Sequence, residues 1–148
     1  MFALKENYPK ILVFLQFTLV GLIMLLSKGF FSSIMSMLIF AVGAVLGIWA
    51  LFHNKLGNFN IQPKMKEGAV LVTTGIYAFV RHPMYLSVLV MMFAFLLGSS
   101  SAIQSFLFLT LVVVLYLKAK REESIWKKES QEYEAYIEKT KLFLPFVL

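Results

Sequence analysis

The sequence holds no cysteine and no aspartate, and only two histidines and four prolines in 148 residues. Without thiols there is no disulfide, no thiolate zinc site and no cysteine nucleophile. Two histidines without an aspartate give no expectation of a resident metal site either. Charge is scarce too: 15% of residues carry one, against 59% apolar and 16% aromatic. That balance excludes intrinsic disorder, which requires low hydrophobicity. With a mean hydropathy of +0.79 the chain is too apolar for an ordinary soluble domain. A single domain spanning residues 1–148 is expected at this length, with lipid as its main solvent.

What is present is four apolar runs, at residues 11–26, 30–52, 84–97 and 102–117. A hydrocarbon core of roughly 30 Å takes about 20 helical residues, so the second run is ample and the first and fourth suffice with their flanks. The third is short. Gly98, Ser99, Ser100 and Ser101 alone join the third run to the fourth, which predicts a tight helical hairpin. The expected fold is all-α, a polytopic membrane protein with about four transmembrane helices over residues 11–27, 30–52, 83–98 and 101–118. Gly43 and Gly47 form a GxxxG in the second run, a pattern that packs a neighbouring helix closely; packing inside the bundle is favoured over a dimer interface.

Thirteen of the fourteen Lys and Arg residues lie before the first run, between the second and third, or after the fourth; Lys28 is the exception. The positive-inside rule then favours both termini in the cytoplasm. This multi-pass placement in contact with membrane lipids accounts for the net charge of +6, and no nucleic-acid partner is expected. Residues 26–29 make a poor signal-peptide cleavage site, so the first run is retained. All eight acids are glutamates outside the runs, which weighs against a proton-coupled transporter or channel, whose spans carry ionisable groups. The chemistry is therefore sought in two cytoplasmic regions, about residues 55–83 and 118–146.

In the first region Arg81 and His82 stand immediately before Pro83 and the third run. Proline suits the first helical position and biases the residue before it away from helix, so the third helix should begin there. Arg81 and His82 then sit at a helix N-terminus, where backbone N–H groups and a guanidinium suit a carboxylate or phosphate. An arginine anchored at the headgroups, with Tyr77 and Tyr85 in an aromatic belt, would produce the same string. In the second region no Gly or Pro occurs from Lys118 to Thr140, which predicts that the fourth helix continues beyond the membrane as a cytoplasmic extension. Trp126, Tyr133, Tyr136 and Ile137 fall on one face of it. The adjacent Glu122 and Glu123 emerge near Arg81 and His82, and paired acids can hold an ammonium, ribose hydroxyls or a sulfonium-bearing ligand.

Read together, residues 71–77 (LVTTGIY), 80–86 (VRHPMYL), the hairpin, Arg121-Glu122-Glu123, Glu132-Tyr133 with Tyr136, and Phe143-Leu144-Pro145 resemble the integral-membrane methyltransferases typified by isoprenylcysteine carboxyl methyltransferase. Phospholipid N-methyltransferases are relatives. The resemblance runs over about residues 55–146, and RHPxY followed by a hairpin and an acidic pair is a specific signal. It implies S-adenosylmethionine-dependent methyl transfer at the cytoplasmic interface to a lipophilic acceptor entering from the bilayer: a prenylcysteine-like carboxylate, a thiol or a phospholipid amine. It implies cofactor contacts from Tyr77, His82, Pro83, Tyr85, Glu122 and Glu123, and catalytic roles for Arg81 and Glu123, with the arginine on the cofactor carboxylate or an anionic acceptor. Tyr133 and Tyr136 are lesser candidates. The chain departs from the family at Glu129-Ser130, where many relatives have Phe-Gly. No G-x-G pair occurs, in keeping with the absence of a Rossmann domain. The alternatives are an NADPH-dependent reductase of the sterol-reductase type and a non-enzymatic four-helix membrane protein.

Overall fold

A computed structural model describes residues 2–54, 70–99 and 101–144. The polar loop at residues 57–63, Ser100 of the hairpin turn and Pro145 lie outside the described residues. The fold is a bundle of four long helices, α1 (Phe2–Leu26), α2 (Ile34–His53), α3 (Pro83–Leu97) and α4 (Ala102–Glu129), followed by a short α5 (Glu132–Lys139). Among the described residues there is no strand; one isolated parallel bridge joins Val80 to Lys141. α2 packs along α3, α1 packs along α4, and α3 joins the two pairs.

Serine side chains start two of the long helices. Ser33 Oγ accepts from Ser36 N at 3.3 Å and Ser101 Oγ from Gln104 N at 3.1 Å, each satisfying an N–H that the helix leaves open. The Ser33 cap divides the second apolar run: residues Phe30–Ser32 form a separate 3₁₀ turn and α2 begins at Ile34. Proline begins α3, with Pro83 in the first position and His82 at φ −124°, ψ 61° outside the helical region.

Among the described residues, three helices are long and apolar enough to cross a membrane, within Asn7–Leu26, Ile34–His53 and Ala102–Glu129. α3 has 15 residues and reaches only about 22 Å at 1.5 Å per residue. Its central place lets it be short. On one side it meets the GxxxG face of α2, where Ser87 Oγ donates to Gly43 O at 2.8 Å. A Cβ on Gly43 would lie 2.9 Å from Met91 N, and one on Gly47 2.5 Å from Ser87 Oγ. The two glycines thus serve packing within the bundle.

The outer faces of the bundle carry large exposed apolar side chains, such as Phe14, Phe17, Val42, Val45, Phe52 and Phe106. Such a surface is stable in lipid, where helices satisfy their own backbone. The inner layer is sealed by Leu19, Ile23, Phe95, Leu111 and Leu115. At one end Gln104 Nε2 donates to Ile23 O at 3.1 Å and Ser27 Oγ to Phe95 O at 2.9 Å, closing the turns. The opposite end gathers the start of α3, the last turns of α4, and α5.

The C-terminal extension differs from the uninterrupted helix the sequence predicts. α4 stops at Glu129, Ser130 is extended at φ −140°, ψ 119°, and α5 begins at Glu132. No Gly or Pro marks the break; burial produces it. Trp126 stacks on Tyr133 with ring centroids 5.9 Å apart at 18°, a contact that residues seven apart cannot make on one straight helix. Tyr133 and Tyr136 are buried as α5 folds back, and that tertiary gain outweighs local helix propensity.

Candidate active site

The loop before α3 is held in place by the chain's C-terminal segment. Gly75 adopts φ +60°, a conformation glycine takes without steric cost, and a Cβ there would collide with the His53 ring at the end of α2. Residues Gly75–Ala78 then form a 3₁₀ turn. Beyond it Arg81 N donates to Lys141 O at 2.8 Å, His82 N to Leu142 O at 3.2 Å, and Lys141 N to Phe79 O at 3.1 Å. Tyr136 Oη donates to Tyr77 O at 2.6 Å, so α5 is bonded directly to the turn.

Arg81 stands at the centre of this assembly. Its Nε lies 2.5 Å from Glu123 Oε1, with both side chains more than nine-tenths buried. Its Nη1 donates to Thr140 O at 2.5 Å and to Ile137 O at 3.3 Å. The guanidinium that the resemblance assigns to an external anion is thus engaged by α4 and by the carbonyls closing α5. Lys120 Nζ meets the other oxygen of Glu123 at 3.1 Å. Burial alone would raise the Glu123 carboxyl, but the hydrogen bond and charge of Arg81, the Lys120 hydrogen bond and the charge of His82 outweigh it and hold it below its ordinary value.

Glu122 faces a different environment. Tyr85 Oη donates to its Oε1 at 2.5 Å, and its Oε2 lies 3.4 Å from His82 Nδ1. Glu122 keeps 23% of its side-chain surface open, against 5% for Glu123. The His82 ring lies parallel to that of Tyr85, 5.5 Å away and tilted by 5°, with Phe143 edge-on to both. His82 Nε2 is buried and has no hydrogen-bond partner among the described residues. Buried polar atoms are rarely left so, and this one stands 4.0 Å from Glu123 Oε1. Burial, with the Glu122 charge second, pushes the Tyr77 hydroxyl up to about 12; burial also raises Tyr133, with the Glu123 charge second, and raises Tyr136 against the opposing charge of Arg81.

The structure therefore brings Tyr77, Arg81, His82, Pro83, Tyr85, Glu122 and Glu123 to one end of the bundle, with Tyr133 and Tyr136 behind them. His53 sits at its edge, Nδ1 at 3.3 Å from Trp49 O. Among the described residues no group of three or more metal-ligating side chains occurs. Besides Lys120, two participants escaped the sequence reading. Thr140 contributes a backbone carbonyl, which no residue type announces. Lys118 is the first charge after the fourth run, a place where an exposed flanking lysine is ordinary, yet it is 2% exposed. Its Nζ donates to Gln16 Oε1 of α1 at 2.5 Å and stands 5.0 Å from the Tyr85 ring centroid. Gln16, the one amide side chain within the first apolar run, was the available signal.

Chemically, the arrangement offers an accessible carboxylate, two parallel aromatic faces and an unpartnered imidazole nitrogen, braced by a neutralised ion pair. It suits a ligand that combines hydroxyl or ammonium donors with a flat or cationic group. Comparison with known proteins adds one match: residues 31–130 fit the model of the phospholipid methyltransferase family. No curated protein and no solved structure matches the chain.

Proposed function

The chain belongs to the phospholipid methyltransferase family, and from that premise we propose that this membrane methyltransferase takes its methyl group from S-adenosylmethionine and passes it to a lipophilic or membrane-associated acceptor at the cytoplasmic interface. The observation that carries the reading is the His82–Tyr85–Glu122 cluster, with the buried His82 Nε2 lacking a hydrogen-bond partner among the described residues. The residues fit the cofactor's chemistry. Glu122 suits its ribose hydroxyls or ammonium, and the ring faces of His82, Tyr85 and Tyr77 suit its purine or sulfonium. Bound there, S-adenosylmethionine supplies an electrophilic methyl group on a positively charged sulfur.

The protein's part is orientation and exclusion of water. Pro83 fixes where α3 starts, and hence where His82 and Tyr85 point. Tyr85 holds Glu122 by its hydroxyl, and the Arg81–Glu123 pair fastens the loop, α4 and α5 into one unit. We assign that pair a positioning role, since each member is engaged by the other. A carboxylate or thiolate acceptor needs no base, whereas a protonated amine must lose a proton. Glu123, bonded on both oxygens, is a poor base; His82 Nε2, buried without a hydrogen-bond partner among the described residues, is the better placed atom. The acceptor enters from the bilayer between helices, and the distribution of Lys and Arg along the sequence, thirteen of fourteen outside the connection between the first two apolar runs, supports a cytoplasmic location.

Calorimetric titration of the detergent-purified protein with S-adenosylmethionine and S-adenosylhomocysteine tests the reading, with NADPH as control. Saturable binding of both sulfur compounds is expected, weakened about tenfold or more in Glu122→Ala and His82→Ala, as loss of a charge-assisted bond requires. Binding of NADPH instead would overturn it.

A further inference from the structure

α2 has 20 residues, about 30 Å at 1.5 Å per residue, which matches the thickness of a hydrocarbon core. Its last residue, His53, then marks the edge of the hydrocarbon on the side of the candidate site. The segment before α3 does not stay outside that edge. Ile76 and Val80 are buried in one apolar cluster with Ala50 of α2 and Leu86 of α3, and Leu46 and Val90 pack against it. Ala50 and Leu46 lie about 5 and 10 Å inside the end of α2. Irregular backbone at such a depth persists only where the protein itself satisfies it, and here it does. Phe79 N and Val80 N both donate to Ile76 O at 3.2 Å, Arg81 N to Lys141 O at 2.8 Å and His82 N to Leu142 O at 3.2 Å. The carbonyls of Tyr77 and Phe79 accept from Tyr136 Oη and Lys141 N. Arg81, the guanidinium of the segment, is paired with Glu123, as charges at membrane depth are.

We infer that Gly75–His82 re-enters the leaflet on the site's side, and that Phe79 and Leu144 form a surface that contacts the acyl chains of that leaflet. The two side chains belong to the two segments that the Val80–Lys141 bridge joins. Val80 is buried, yet Phe79 beside it is 56% exposed and Leu144 is 45% exposed. Large apolar side chains left open at this depth fit hydrocarbon and not water, and Trp49 and Phe52, in the last turns of α2, are exposed at the same level. Lys141 is exposed as well, and its long stem carries the ammonium to the headgroups. Re-entry also accounts for the length of α3: 15 residues suffice, because the segment before it supplies the missing depth. The inference holds whatever reaction the site performs. It places Arg81 and His82 beside hydrocarbon, below the headgroups.

The chain has no cysteine, so a nitroxide can be attached at one position at a time. The test places it at Phe79→Cys and at Leu144→Cys in the full chain, reconstituted in vesicles of phosphatidylcholine and phosphatidylglycerol. Power saturation compares collision with oxygen, which concentrates in hydrocarbon, and with a water-soluble nickel chelate. Phe17→Cys, on an exposed apolar face of α1, supplies the hydrocarbon limit, and Glu134→Cys, exposed on α5, the aqueous one. The oxygen-to-nickel ratio is expected to exceed unity at residues 79 and 144, as at residue 17, and to fall below unity at residue 134. A ratio at or below unity at either residue 79 or residue 144 overturns the inference. If the label at residue 79 lowers the melting temperature, Phe79→Trp in a Trp49→Phe/Trp126→Phe background reads the same depth. Its emission should be quenched more by phosphatidylcholine brominated on the acyl chains than by aqueous iodide, and the reverse order overturns the inference. Binding of S-adenosylhomocysteine is measured separately, so a failure of the methyltransferase reading leaves the depth measurement intact.

Discussion

The pairing of Arg81 with Glu123 separates two roles that the motif alone leaves merged. Both side chains are buried and joined at 2.5 Å, and the guanidinium also binds the carbonyls of Ile137 and Thr140. Removing one partner strands a buried charge, for which about 3–5 kcal/mol of destabilisation is typical. Arg81→Ala and Glu123→Ala should therefore each lower the melting temperature strongly, measurable by tryptophan fluorescence. Arg81→Lys will not rescue, because an ammonium cannot reproduce the planar fork. The double variant Arg81→Met/Glu123→Leu removes both charges and should recover much of the lost stability. A pair that only positions the loop predicts partial return of methyl transfer in the double variant. Recovery of melting temperature with no recovery of turnover would instead show that one of the two charges touches the reactants.

At the scale of elements, the acid response of α5 follows from the same carboxyl. Glu123 is held below its ordinary value in the folded protein, so it binds fewer protons there than in the unfolded chain. The stability it contributes is complete above the ordinary carboxyl value and disappears as pH falls through the depressed one. Trp126, stacked on Tyr133, reports the docking of α5. In a Trp49→Phe background its emission should stay constant through the ordinary carboxyl range and change only below it. In Glu123→Gln that late transition should vanish, because no proton is taken up there. A change centred at the ordinary carboxyl value would show that Arg81 does not hold Glu123 ionised. The start of α3 was legible in the sequence because proline constrains its own and the preceding backbone. The break at Ser130 was not, since it arises from burial of Tyr133 and Tyr136, which a local pattern does not encode. Likewise the GxxxG announces a close approach without naming the neighbour, which is α3 at Ser87 and Met91. Gly43→Ala should cost about 1–3 kcal/mol by overpacking, because its Cβ would press on the backbone nitrogen of Met91. The cofactor affinity of the folded fraction should be unchanged, as read by calorimetry beside a thermal melt.

For the molecule as a whole, the apolar runs and their flanking charges specified a helical membrane bundle, because helix length and lipid satisfaction leave few other solutions. They did not specify which helices pair. The α1–α4 and α2–α3 pairs are joined by polar contacts, such as Lys118 to Gln16 and Ser87 to the Gly43 carbonyl, between residues far apart in sequence. They divide the bundle into two ends, one with the candidate site and, among the described residues, Arg81 and the cations of α4 and α5, the other with Lys28. The absence of cysteine makes the orientation directly measurable, since a single introduced thiol has no background. Ser32 and Glu134 are both exposed, Ser32 beside the turn after α1 and Glu134 on α5. In intact cells a membrane-impermeant maleimide should label Ser32→Cys at once and Glu134→Cys only after permeabilisation. The reverse pattern would place the carboxylates and the imidazole outside the cell, away from a cytoplasmic methyl donor. It would sink the cytoplasmic assignment of the site while leaving its internal geometry untouched.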